Sequence, residues 1–208
     1  MTVDTTSDTI RLINYDISFE PLSTYTRSKE LEQTSVRMRE LLDSNYKEAL
    51  KQLPALIEKY PNDPTLAGYL AAAHTLNKDT VASKQLIIQN YNKFPTYFFA
   101  RCMYADLCIQ ENNLEEAAKA IDNKFDLKIL YPDRSVFHVS ELLAFCQVCT
   151  KYFGELGDYN QAQIYVDIIK QLDDEHPLVE NLESYLFYCA AKQTVKQFFN
   201  RKSKKQGA

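Results

Sequence analysis

The sequence predicts an all-α protein of antiparallel helix pairs stacked as an α-solenoid, and three observations carry that expectation. Small residues opening amphipathic stretches at Ala49, Ser83 and Ala117 recur at a constant spacing of 34. Two segment-ending prolines, Pro61 in EKYPND and Pro95 in NKFPTY, independently keep the same spacing of 34. The 208-residue chain holds only four glycines, too few for a loop-rich enzyme fold, a Gly-rich phosphate loop or a dinucleotide fingerprint. A repeat of this length is two helices that bury one face against each other and another against the next pair, so no single pair is stable alone.

The elements follow in order. Residues 1–28 form an N-terminal segment, extended or partly disordered, in which Ile10–Ile13 and Ile17–Phe19 read as an apolar strip packing on the first helices. A repeat domain spans 29–177. Its first helices are expected at 29–42, 65–76, 96–110 and 137–154, and their partners at 46–60, 80–91, 114–124 and 159–172. Each partner opens on Asn or Asp four residues before a small side chain: Asn45 and Ala49, Asp79 and Ser83, Asn113 and Ala117, Asp158 and Ala162. The small residue lets the two helices of a pair cross closely. Large apolar residues then follow at helical spacing: Leu53 and Leu56, Ile87, Ile121, and Val166 with Ile169.

The fourth unit arrives late, with Ala162 standing 45 rather than 34 residues after Ala117. The 11 extra residues are assigned to 126–137, where Pro132 forbids a continuous helix. After His176-Pro177, residues 178–200 are an amphipathic helix that caps the open end, since the last repeat of a solenoid otherwise exposes a core face. Residues 201–208 are expected as a basic disordered tail.

On these residues, over roughly 31–177, the sequence resembles the tetratricopeptide repeat family. The resemblance rests on the Asn/Asp-led run that opens each second helix, the apolar positions after it, and the terminal proline. It implies a right-handed tetratricopeptide-like solenoid of about four units. The sequence departs from the family's pattern in lacking the aromatic early in the first helices. It also carries Asn90 and Lys124 at normally apolar positions and has no proline in register in the third unit.

Charge and chemistry narrow the function classes. Six basic residues and no acidic ones lie in 192–208, and removing them from the formal charge of −4 leaves −10 on the remainder. A body so acidic, without a basic groove, argues against nucleic acid even though 14 tyrosines and 11 phenylalanines could offer stacking platforms. Five cysteines in apolar helical stretches do not make a disulfide framework, and the chain reads as cytoplasmic, with no run apolar enough to span a membrane.

Cys146 and Cys149, with His138 upstream, form the sharpest metal candidate, but they sit in a helix-like apolar run and lack a second ligand pair. They read as core cysteines. His74 and His176 have no visible catalytic partner, and Glu115-Glu116 complements a helix N-terminus. No catalytic residue, metal or cofactor is assigned, so the chain is expected to be no enzyme.

In the tetratricopeptide family the first helices of successive repeats line a concave groove. The resemblance projects that groove onto Gly68, Ala72 and Thr75 in the second unit, Phe99, Cys102, Asp106 and Gln110 in the third, and Gln147 and Lys151 in the fourth. The Lys, Asn and Arg clamp used by members that grip a C-terminal carboxylate is not found at these positions. The expected function is a protein-interaction scaffold taking a peptide or partner helix in the groove. A self-assembling structural protein and an RNA-associated regulator using the basic tail are the alternatives.

Overall fold

The computed structural model describes residues 13–20 and 28–206, with side chains through Val195; the expectations for 1–12, 21–27, 207 and 208 lie outside the described residues. The protein is predominantly helical, with nine helices and two short strands among the described residues. No helix there is long and apolar enough to cross a membrane. The chain divides into two compact units, Glu20–Phe125 and the combination of Met1–Phe19 with Asp126–Ala208.

In the first unit, α1 (Lys29–Lys59) holds what the sequence predicts as two helices. The backbone leaves helical geometry at Asn45 (φ −155°, ψ 73°), whose side chain accepts a hydrogen bond from the Glu48 N–H. The break is a reversal. Glu30 and Lys59 would stand about 43 Å apart in a straight helix at 1.5 Å per residue, yet Lys59 Nζ donates to Glu30 Oε1 at 2.7 Å. Arg37 likewise reaches Gln52 across the pair.

Next come α2 (Pro64–Leu76), α3 (Thr80–Lys93), α4 (Phe98–Gln110) and α5 (Leu114–Ala120), each in contact with its sequence neighbour, while α2 also touches α4. The core of the first pairs joins Met38 from one arm of α1, Ala49 and Leu53 from the other, and Leu66, Leu70 and Ala73 from α2. Burying each such Leu contributes about 2 kcal/mol.

The period seen in the sequence has a local cause. Asn45, Asp79, Asn113 and Asp158 each accept a hydrogen bond from the backbone N–H three residues on, satisfying an orphan donor at the start of a helix. The small residues behind these caps, Ala49, Ser83, Ala117 and Ala162, are all buried. Ile87 is only half-buried, whereas Leu53, Ile121, Val166 and Ile169 are fully inside. Lys78 (φ 62°) and Asn112 (φ 58°), just before two of the caps, reverse the chain in the left-handed region.

Helix α5 is shorter than the expected 114–124. It stops at Ala120 because Asp122 (φ 54°) and Asn123 (φ 56°) enter the left-handed region, which Asp and Asn tolerate better than most residues. The Asn123 N–H then bonds back to the Ala118 carbonyl.

In the second unit, the 11 extra residues become structure. A short helical turn, α6 (Leu127–Leu130), leads past Pro132 to strand β2 (Val136–His138), which pairs in parallel with β1 (Asp16–Ser18). The described part of the apolar strip near the N-terminus is thus extended at Ile17, and β1 lies beside β2 and α7, with Tyr15 packed edge-on against Phe137 at 4.9 Å. Arg134 spans the same place, its guanidinium 4.4 Å from the Phe137 ring and paired with the buried Glu141.

Helices α7 (Val139–Leu156), α8 (Tyr159–Leu172) and α9 (Pro177–Gln206) pack on one another. Helix α9 runs through six of the eight positions expected as a disordered tail.

Candidate functional site

Helix α2 starts where Asp63 caps the backbone of Thr65 and Leu66 and Pro64 sets the first turn. Helix α4 starts at Phe98, and the Tyr97 hydroxyl meets the Thr65 hydroxyl at 3.0 Å, tying the two N-terminal ends together. Between the helices, a Cβ added at Gly68 would lie 3.6 Å from Met103 Sδ and 3.9 Å from Asn90 Nδ2, so α2 offers a small residue to the long side chains beside it.

On α2, Gly68 and Ala72 are half-buried, while Thr75 is exposed and hydrogen-bonded to Ser83 Oγ at 2.7 Å. On α4, Phe99 is half-buried between the rings of Tyr97 and Phe98. Asp106 accepts from the exposed Gln110 at 2.7 Å. Cys102 is 4 % exposed, so it acts in the core and presents little surface to a partner. Gln147 and Lys151, both half-buried, stand one turn apart on α7 in the other unit.

Two buried polar residues hold this face, and the sequence flagged only one of them. Asn90, at a position expected to be apolar, donates from Nδ2 to the Pro64 carbonyl at 3.0 Å and so links α3 to the start of α2. Arg101 lies inside the apolar run FFARCMY. Its Nε donates to the Ala120 carbonyl at 2.7 Å and its Nη2 pairs with Asp122 at 2.7 Å. An arginine in an otherwise apolar helix is the signal that could have marked it, because such a charge is almost never buried unpaired.

The groups with chemical potential are engaged structurally. His138 Nδ1 accepts from the Ser140 N–H and caps α7, and His176 Nδ1 accepts from the Leu178 N–H at the start of α9. His74 Nδ1 lies 3.2 Å from Asp79, the cap of α3. All five cysteines are buried and outside any disulfide, and burial pushes the Cys146 thiol far up, which disfavours the thiolate needed of a nucleophile or metal ligand.

Burial also raises the Glu155 carboxyl, but hydrogen bonds from Lys192, Tyr185 and Cys189 outweigh this and hold it below the ordinary carboxylate range. That cluster fastens α9 to the end of α7. Among the described residues, no group of three or more His, Cys, Asp and Glu side chains is arranged to hold a metal ion. A shallow depression of about 420 Å³ runs along the first arm of α1 between Lys29 and Glu40, and all of its lining side chains come from that one helix face.

No family model matches the chain, and comparisons with curated proteins and with solved structures return no match.

Proposed function

We propose that the chain is a non-enzymatic protein-interaction scaffold of tetratricopeptide-like right-handed solenoid type, and that it takes an extended peptide or a partner helix across the α2 and α4 face. The observation that carries this reading is the contact of α2 with α4, the first helices of consecutive pairs, with Gly68 leaving room beside Met103. Small residues on α2, with a half-buried aromatic and a carboxylate on the α4 beside it, suit an apolar anchor and a polar neighbour. The repeated Asn/Asp caps support the same reading, because they reproduce one helix-pair unit at a constant period.

The test is a pull-down with purified full-length chain as bait, followed by affinity measurement on the partner it recovers. Ala72→Trp, which fills the furrow, and Phe99→Ala, which removes the aromatic, are each expected to weaken that partner at least tenfold. Val81→Ala, at an exposed position on α3, should leave it unchanged. Equal binding by all four proteins would move the interaction away from this face.

A further inference from the structure

Helix α9 packs on α7 and α8 through Val179, Leu182, Leu186 and Cys189, all buried. A helix that only capped the fold would turn a polar outer face to water. The outer face of α9 instead carries Phe187, Tyr188 and Val195, which are 78 %, 60 % and 54 % exposed. At 100° per residue, Glu180, Ser184, Phe187, Tyr188, Ala191 and Val195 form one stripe on the side opposite the buried row, and the sequence continues that register with Phe198 and Lys202. The stripe is acidic at one end, apolar in the middle, small at Ala191 and basic at the other end.

The charge of the whole segment has the same polarity. Residues 173–191 contain five acidic residues (Asp173, Asp174, Glu175, Glu180, Glu183) and no Lys or Arg, whereas 192–208 contain six basic residues and no acidic ones. We propose that this face is a homodimer interface, on which α9 of a second copy lies antiparallel about a two-fold axis at Ala191.

In that register Phe187 meets Val195 and position 180 stands opposite position 202, each pair occurring twice by symmetry, and Ala191 meets Ala191 once, on the axis, where the helices come closest. A parallel pair would set acid against acid and base against base, and the charge polarity disfavours it. The contact from Glu180 to Lys202 is about 33 Å long at 1.5 Å per residue. A single helix strip of that length buries close to the ~1,000 Å² total needed for a specific interface. The pair is therefore weak and concentration-dependent. The inference does not rest on the α2 and α4 reading, because every residue in it belongs to the other unit.

The experiment is sedimentation velocity on the full chain from the micromolar to the millimolar range, with helicity checked by circular dichroism. A reversible monomer–dimer equilibrium is expected, abolished by Phe187→Glu. Glu180→Lys is expected to weaken the dimer about tenfold, since two favourable pairs become repulsive. Combining Glu180→Lys with Lys202→Glu restores the dimer, because both partners of each pair are exchanged.

A chain that stays monomeric at millimolar concentration overturns the proposal. So does a dimer indifferent to Phe187→Glu, or a double variant no better than Glu180→Lys alone. Phosphatidylserine vesicles are the control for the other surface a basic amphipathic face could meet: binding to them by a chain that remains monomeric also refutes the dimer.

Discussion

Replacing Arg101 by Met tests how α5 is held. At seven residues α5 is well below the length at which an isolated helix is stable in water. Its last residue, Ala120, is fully buried, and the Ala120 carbonyl is one of the terminal acceptors with no intrahelical donor. Arg101 Nε supplies the donor at 2.7 Å from a side chain that is 9 % exposed, and its positive charge sits at the negative end of the helix.

A hydrogen bond to a charged group contributes about 1.5–3 kcal/mol, most of it the cost of leaving the carbonyl unpaired. The Asp122 partner is 51 % exposed, so screening limits that ion pair to about 0.5 kcal/mol. Arg101→Met keeps the apolar stem and is therefore expected to destabilise the first unit by about 2–3 kcal/mol, and Asp122→Asn by under ~1 kcal/mol. Urea unfolding followed by circular dichroism measures both. Amide exchange on Ala117, Ala118 and Ala120 should accelerate in the Met variant alone. Equal losses in the two variants, or a loss in Arg101→Met below about 0.5 kcal/mol, would refute the view that the arginine acts as a buried cap.

Three further outcomes follow from the same geometry. Gly154→Ala puts a Cβ 2.9 Å from Leu186 Cδ2 in the α7–α9 contact, and overpacking there should cost about 1–3 kcal/mol, read as a lower urea midpoint. Lys78→Gly relieves a left-handed residue at the turn before α3 and should stabilise by about 0.5–1 kcal/mol, whereas Lys78→Ala should not; thermal unfolding distinguishes them. Glu155 is held below its ordinary pKa, so its contribution is fully present above the unfolded carboxylate value of about 4.3 and is lost as pH falls through the lower folded value. Glu155→Gln should therefore be less stable than the parent at neutral pH, with the gap closing below about pH 4; a gap independent of pH would show that the carboxylate charge is irrelevant to the α7–α9 tie.

What was legible in the sequence was local. The Asn and Asp caps, the small residues four positions on and the prolines announce themselves because each acts within one helical turn, and they placed four second helices and most of the first. The candidate face on α2 and α4 came from the resemblance, which projected Gly68, Ala72, Phe99 and Asp106 onto helices that the caps had placed.

What depended on partners distant in the chain was not legible. The sequence marked 126–137 as extra but not its use, because a three-residue strand exists only through its ladder: Val136–His138 is a strand because Asp16–Ser18 lies beside it. The capping of the last α5 carbonyl depends on Arg101 from another helix, and the burial of Cys102, which removes it from the accessible face, depends on what packs around α4. The face α9 turns to water was written in its sequence as a second apolar stripe. Only the packing of Val179, Leu182, Leu186 and Cys189 decided which of the two stripes would be left uncovered, since period alone does not say which side of a helix meets the core.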